Sequence, residues 1–373
     1  MKILLLCNYY HRAVLFYYHK RALEKRGHTV HVFNAVPFHT QVEEPFGFVM
    51  DDTVIQCACF HKWDRFFYFH KQKKIYEALC RHVDPKDYDL IHAHMVFSTG
   101  YAAYKLCRAK DASFAVSVRN TDVNVFWRIP FLRRVADRVL DSCVGVHFLS
   151  EGYREACEKL FAKPLPLTAV IPTGLDPYYL AHKAHKSPAA PSDCLRLICV
   201  GKIDANKNWL TTCKACQALI DAGWSVHLTA VGPVRNRRIY RALTRMPFVT
   251  CRPFMAKESL QPLYRAHHIF VMPSRTESFG RVYAEAMTQG LPVIYTRSQG
   301  FDRLFADGEV GYGVAAGDAG AIAQAVRRIV DDYDAMAARC LARVSRFDWD
   351  TLAAEWASFY ARCTALDEEE ALR

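Results

Sequence analysis

Short apolar runs alternate with helix-period patterns along almost the whole chain. Lys2–Cys7 is apolar nearly throughout, as expected of a strand in a parallel sheet covered on both faces. Residues 12–26 follow a helical pattern that Gly27-His28 stops. Thr29–Phe33 is the next strand, so the chain opens as a β-α-β unit. Further strands are expected at 53–59, 89–91, 114–118, 144–148 and 168–171, with helices at 97–108 and 151–161. Residues 177–194 lose this periodicity and gather Pro, Ala, Lys and His, which reads as a linker. A second alternation follows. Its strands are expected at 195–200, 225–231, 248–251, 269–273 and 293–295. Its helices are expected at 209–221, 236–243 and 258–264, from 281 to near Gly290, and at 318–332, 334–344 and 348–366. Two such runs predict an α/β protein of two doubly wound, Rossmann-like domains facing a cleft, with ligands beyond the carboxyl ends of the strands.

The densest candidate chemistry lies between the strand at 269–273 and the helix after it. Ser274-Arg275-Thr276-Glu277-Ser278-Phe279-Gly280-Arg281 leads into that helix, and Glu285 sits one turn inside it. Gly280 lets a ligand approach the backbone closely. The free N–H groups of Phe279, Gly280 and Arg281 at a helix start favour phosphate. Two acids flanking a diphosphate seat suit a sugar nucleotide, one acid for sugar hydroxyls and the other for a ribose diol.

Four motifs in order resemble the donor half of retaining GT-B glycosyltransferases of family 4. They are Glu277-x7-Glu285 with Phe279-Gly280; Val200-Gly201-Lys202-x4-Lys207; Ile171-Pro172-x-Gly174-Leu175-Asp176; and Phe347-Asp348-Trp349-Asp350. The resemblance implies a GT-B fold. By position it gives Glu277 the donor sugar, Glu285 the ribose, and Lys202 and Lys207 the diphosphate, with Gly201 in the same loop. It implies retention of anomeric configuration, no side-chain nucleophile, no metal and no cofactor beyond the nucleotide sugar. No DxD-like pair stands in a suitable loop. The expected domains are 1–172 on the acceptor side, a linker at 173–194, a donor domain at 195–347, and a helix at 348–373 that crosses back to the first domain. Arg252 and Phe254 are the candidates nearest the base. The acceptor side offers Asn8 and Arg12, from a first loop without glycine, and Arg119, Asn120 and Asp122, after the strand at 114–118. The alternative for that second group is a capping turn.

Composition adds a basic balance. The 373 residues carry a formal net charge of +11, and residues 1–175 hold 24 Lys and Arg against 17 Asp and Glu. That suits an anionic partner. Residues 60–76 interleave Phe60, Trp63, Phe66, Phe67, Tyr68 and Phe69 with Lys and Arg. They read as a nucleic-acid patch without a known module, a core helix of partial period, or an interfacial helix against anionic lipid; the last is favoured and a nucleic-acid partner is not. His92-Ala93-His94 is read as setting its two rings on opposite faces of a strand, a structural arrangement and not a metal site. The 14 scattered cysteines fit reduced thiols in a cytoplasmic protein. Neither a secretory leader nor a membrane span is legible. The expectation is therefore a cytoplasmic hexosyltransferase, peripheral on the inner face of the plasma membrane. It would transfer sugar from a UDP- or GDP-linked donor to a glycan or lipid-linked hydroxyl, in cell-surface polysaccharide or lipopolysaccharide assembly. The alternatives are a same-fold epimerase or phosphorylase, or a non-catalytic nucleotide-sugar scaffold.

Overall fold

A computed structural model describes residues 1–8, 10–40, 51–161, 163–186 and 188–371, the last five by backbone alone. Tyr9 of the first loop and the side chains of the acidic tail Asp367–Glu370 lie outside the described residues. The chain divides into two compact units. One comprises 1–149, 153–174 and 349–373, and the other 150–152 with 175–348. The division falls inside two of the motifs above, between Gly174 and Leu175 and between Asp348 and Trp349.

The first unit holds strands β1 (Lys2–Leu6), β2 (Thr29–Pro37), β3 (Val54–Phe60), β4 (Leu90–Ala93), β5 (Phe114–Val118), β6 (Gly145–Phe148) and β7 (Leu167–Val170). Helices α1 (Val14–Lys25), α2 (Tyr68–His82), α3 (Tyr101–Lys110), α4 (Asn120–Asn124), α5 (Pro130–Ser142) and α6 (Glu151–Phe161) connect them. All neighbours pair in parallel in the order β3-β2-β1-β4-β5-β6-β7. The order reverses beside β1, so the crevice of this sheet opens at the carboxyl ends of β1 and β4.

The second unit repeats the plan. Helix α7 (Pro177–Ala181) lies within the stretch expected to be linker. It is followed by β8 (Leu195–Val200), α8 (Trp209–Asp221), β9 (Val226–Val231), α9 (Arg237–Leu243), β10 (Val249–Arg252), α10 (Lys257–Arg265), β11 (Ile269–Val271), α11 (Arg281–Met287), β12 (Val293–Thr296), β13 (Gly311–Val314), α12 (Ala319–Asp331) and α13 (Tyr333–Arg343). The six strands run β10-β9-β8-β11-β12-β13, again all parallel. Here the order reverses between β8 and β11.

The last helix, α14 (Trp349–Ala371), belongs to the first unit. Leu352, Ala353, Trp356, Phe359, Tyr360 and Cys363 are buried in one core with Ile3, Leu5, Val30 and Val32 of β1 and β2. A Cβ on Gly145 would overlap Cys363 Sγ and the Phe359 ring, so β6 accepts this helix only at glycine. A Cβ on Gly174 would likewise enter the Trp349 ring. That contact gives a physical reason for the glycine of one motif and the tryptophan of another: each makes room for the other. All 14 cysteines are free and most are buried. Among the described residues no helix is long and apolar enough to cross a membrane.

Candidate active site

In the second unit the loops after β8 and β11 meet at the topological switch point, where a doubly wound sheet binds ligands. Asn206 joins them. Its backbone carbonyl accepts from Arg275 N (2.8 Å), its Nδ2 donates to Thr276 O (2.9 Å), and its Oδ1 accepts from Thr276 N and Oγ1. This brace brings Lys207 Nζ to 2.5 Å from Glu277 Oε2, both side chains largely but not wholly covered. Glu277 is held from behind as well. Its N–H donates to Gln299 Oε1 (2.9 Å), and its carbonyl accepts from Gly300 N (3.1 Å). Gly300 has no room for a Cβ against the Ser278 carbonyl. Lys202 is exposed at the mouth of the same loop, with Gly201 packed against the Lys207 stem.

Gly280 caps α11 at φ +79°, a left-handed conformation that glycine adopts without strain. No side chain caps this helix. Phe279 is buried against Phe301 and Phe347, so it supports the loop from the core side. Glu285 is half-buried one turn inside α11. The Tyr264 hydroxyl donates to its Oε2 at 3.4 Å, and the Tyr179 hydroxyl bonds it too. Burial raises the Glu285 pKa, while the Arg281 charge and the two tyrosines oppose the rise. Arg252, the last residue of β10, and Phe254 just beyond it both stand exposed, the Phe254 ring at 74%.

The first unit places its candidates differently. Asn8 Nδ2 donates to Ser98 O (3.2 Å), Arg12 is exposed, and Asn120 is tied to Asn124 within α4 (2.8 Å). Asp122 is fully buried. Its carboxylate accepts from Arg119 N (2.8 Å) and Phe97 N (3.2 Å), so from the third position of α4 it closes a capping box on Arg119, the N-cap residue, and ties the helix start to the loop at Phe97. Burial raises its pKa to about 7 against the pull of those backbone donors. The expectation that Asp122 faces a cleft gives way to the capping alternative, because no part of its carboxylate reaches solvent. Arg119 lies over the Phe16 ring (5.9 Å), and its guanidinium donates to the His94 carbonyl and ring nitrogen (3.4 Å each). Burial lowers its pKa to about 10.

His92 and His94 do not point apart. Their ring centroids are 4.4 Å from each other, because residues two apart on a strand share a face. They join the buried His19 and His147 in one cluster around Trp356. A directed chain runs through it. The Tyr360 hydroxyl donates to His92 Nδ1, His92 Nε2–H to Ser117 Oγ, Ser117 O–H to His147 Nδ1, and His147 Nε2–H to the Ile171 carbonyl, each at 2.8 Å. Burial lowers the pKa of all four rings, and with the imidazoles neutral the Ile171 carbonyl, which can only accept, sets this direction. A cavity of about 20 Å³, lined by His19, His147, Arg119 and Trp349, has room for one water. Among the described residues no group of three or more His, Cys, Asp or Glu is arranged to hold a metal.

Comparison with known proteins decides the family. Residues 13–178 match the family described as Glycosyltransferase Family 4, and residues 194–332 match Glycosyl transferases group 1, so that together the matches span most of the chain. The chain belongs to the family 4 glycosyltransferases. The D-inositol 3-phosphate glycosyltransferase 2 of Catenulispora acidiphila is 29% identical over 327 residues, which cover 78% of this glycosyltransferase and 74% of that relative. The D-inositol 3-phosphate glycosyltransferase of Streptomyces avermitilis is 38% identical over 115 residues, 30% of this chain and 25% of that one. Anabaena HepE in complex with UDP superposes with a TM-score of 0.70 at 17% identity, covering 97% of this glycosyltransferase and all of HepE. The last likeness concerns the fold: two Rossmann-like α/β units, as in GT-B glycosyltransferases.

Sequence reasoning missed the residues that hold this glycosyltransferase's acids in place. Asn206 and Gln299 lie far from Glu277 in sequence and carry no motif of their own. Tyr179 falls in the stretch expected to be linker, and Tyr264 at the end of a helix whose pattern explains it as core. The histidine cluster was misread as two opposite faces, although the signal was present: residues two apart on an apolar strand share a face, and His147 lies among the apolar residues of another strand.

Proposed function

We propose that this glycosyltransferase moves a hexose-type sugar from a nucleoside diphosphate to an acceptor hydroxyl with retention at the anomeric carbon. The observation that carries this reading is the Lys207–Glu277 pair at 2.5 Å, held by Asn206 and Gln299 at the switch point of the second sheet. Glu277 is placed to accept from donor-sugar hydroxyls. When a diphosphate enters, Lys207 and the more exposed Lys202 face the charge that grows on it as the glycosidic bond breaks. Stabilisation that rises towards the transition state is what accelerates the step. Glu285, steadied by Tyr179 and Tyr264, takes the ribose hydroxyls. Phe254 offers a face for the base, with Arg252 beside it. Gly201, Gly280 and Arg281 bring backbone N–H groups and a cation to the diphosphate. The cations present suffice for the leaving group, so no metal enters the scheme. No side-chain nucleophile enters it either. The acceptor attacks the face the diphosphate leaves, and the departing phosphate takes the acceptor proton.

UDP-sugars are the first donors to test, since HepE is a fold neighbour solved with UDP; GDP-sugars come next. The acceptor is read as a hydroxyl of a glycan or lipid-linked glycan, in cell-surface polysaccharide or lipopolysaccharide assembly in the cytoplasm against the inner membrane face. The excess of basic charge in the first 175 residues supports this acceptor reading. A second acceptor reading, a small phosphorylated polyol, follows from the relatives' names and from Arg119. A guanidinium held by a carbonyl and an imidazole suits an incoming phosphate.

The test is a thermal-shift screen of UDP-, GDP- and ADP-sugars, then transfer assays with the donor that stabilises the protein. NMR of the product should give the anomeric configuration of the donor. An inverted product contradicts the retaining assignment. Donor binding with neither hydrolysis nor transfer to any acceptor favours a scaffold.

A further inference from the structure

The basic aromatic stretch of the first unit forms a surface, and it draws in a helix that the sequence pattern alone did not connect to it. Residues 62–66 form a short 3-10 turn and α2 follows at Tyr68. Their large side chains turn outward. Trp63 is 53% exposed, Phe66 72%, Phe67 59% and Phe69 51%. Phe131, in the first turn of α5, is 59% exposed, and its ring lies 6.3 Å from that of Phe69. So two elements more than 60 positions apart place aromatic rings side by side in solvent. Leaving such rings in water is unfavourable by about 25 cal/mol for each Å² that could be covered, and contiguous exposed apolar area marks an interaction surface.

The charge around the rings is one-sided. Across 60–76 and 121–134 the only carboxylates are Asp64 and Asp122, and both are buried. Asp64 accepts from Lys74 (2.8 Å) and the His61 backbone N–H (2.7 Å). Lys62, Arg65, Arg128, Arg133 and Arg134 are exposed on the same two segments, while Lys73 pairs with the exposed Glu77 one turn further along α2, away from the rings (3.8 Å). The surface therefore offers rings and cations with no exposed acid between them. A second copy of the chain is a poor occupant, since a two-fold contact would set the same cations against one another. An anionic bilayer surface fits both features: rings enter the headgroup layer and cations meet lipid phosphates.

We propose that the face built from residues 62–69 and the first turn of α5 docks this glycosyltransferase on anionic phospholipid bilayers, with Phe66, Phe67 and Phe131 entering the headgroup layer. The proposal deepens the lipid-linked acceptor reading and rests on it for its purpose. The test is flotation of the full chain with vesicles of phosphatidylcholine alone, and of phosphatidylcholine mixed with phosphatidylglycerol. Binding is expected to the anionic vesicles only, and to weaken with salt. The double variant Phe66→Ser/Phe131→Ser should lose binding about tenfold with its melting temperature unchanged. Reversing two cations, Lys62→Glu/Arg133→Glu, should lose at least as much. No flotation with anionic vesicles, or flotation equal in wild type and both variants, overturns the proposal. Hydrolysis of the donor without vesicles, measured on the same variants, should stay at the wild-type rate. Neither hydrolysis nor transfer by the wild type would instead count against the transferase reading, so the two failures are distinguishable.

Discussion

At the scale of single residues, burial sets the chemistry. His19, His92, His94 and His147 have lowered pKa values because desolvation disfavours their charged forms. The unfolded chain takes up protons near pH 6.5 that the folded protein refuses. Stability is therefore fully present above that pH and falls as pH drops below it. His19 packs on Trp356 with ring centroids 4.6 Å apart, and its pKa is lowered to about 3. His19→Phe should remove about one proton from the slope, about 1.4 kcal/mol per pH unit between pH 6 and 4. Urea unfolding at stepped pH measures it, and an unchanged slope counts against a buried neutral His19. Asp122 has the opposite sense. Its folded pKa, raised to about 7, makes its contribution fall as pH rises from about 4 to 7. The stability advantage of wild type over Asp122→Asn should shrink across that range in the same titrations. Glu285 belongs at this scale too. If Glu285 holds the ribose as proposed, Glu285→Gln should raise KM for the sugar nucleotide about tenfold with a smaller loss in kcat, since that contact would be made equally before and during the reaction.

At the scale of elements, what could be read depended on whether the local pattern or a distant partner determines the structure. Residues 195–200, 209–221 and 151–161 matched their expected elements to the residue, because apolar period and flanking breakers agree there. Helix α5 was not anticipated, although Pro130 at its first turn and Leu132, Val135, Ala136, Val139 and Leu140 make a regular buried stripe. Its start lies in an aromatic and basic stretch that masks the period. Strand β13 was also missed. It has four residues, two of them glycine, and exists through its pairing with β12. The resemblance singled out Lys207, Glu277 and Glu285 as motif residues, whereas Gln299, Tyr179 and Tyr264, which bond the two acids, come from other elements, and Asn206, next to Lys207, acts on the loop of Glu277. Helix α11 offers an element-level test. Gly280→Ala puts a Cβ at φ +79° and into the Tyr283 ring. It should cost more than about 1 kcal/mol and disturb the loop that carries Glu277. Calorimetry paired with donor affinity checks both; a neutral change would contradict the cap.

At the scale of the molecule, the first unit is completed by residues from the far end of the chain. Trp356 is 4% exposed and lies against His92, His147 and Tyr360, in a core that includes β1. Trp356→Ala should destabilise the first unit by about 3–5 kcal/mol. Unfolding should then become two-step, with the second unit melting near its original temperature. A single unshifted transition would count against α14 as part of that core. The glycosyltransferase rests on two sheets with the same reversal of strand order, and the better specified of the two switch points holds Lys207 against Glu277. The most direct measurement is single-turnover transfer, or hydrolysis, of the stabilising sugar nucleotide by Lys207→Ala. The rate is expected to fall by about 100-fold or more, the loss typical of removing one preorganised charge partner, while nucleotide diphosphate still binds. A rate within a few-fold of wild type would contradict the assignment of this pair to the leaving group and donor sugar.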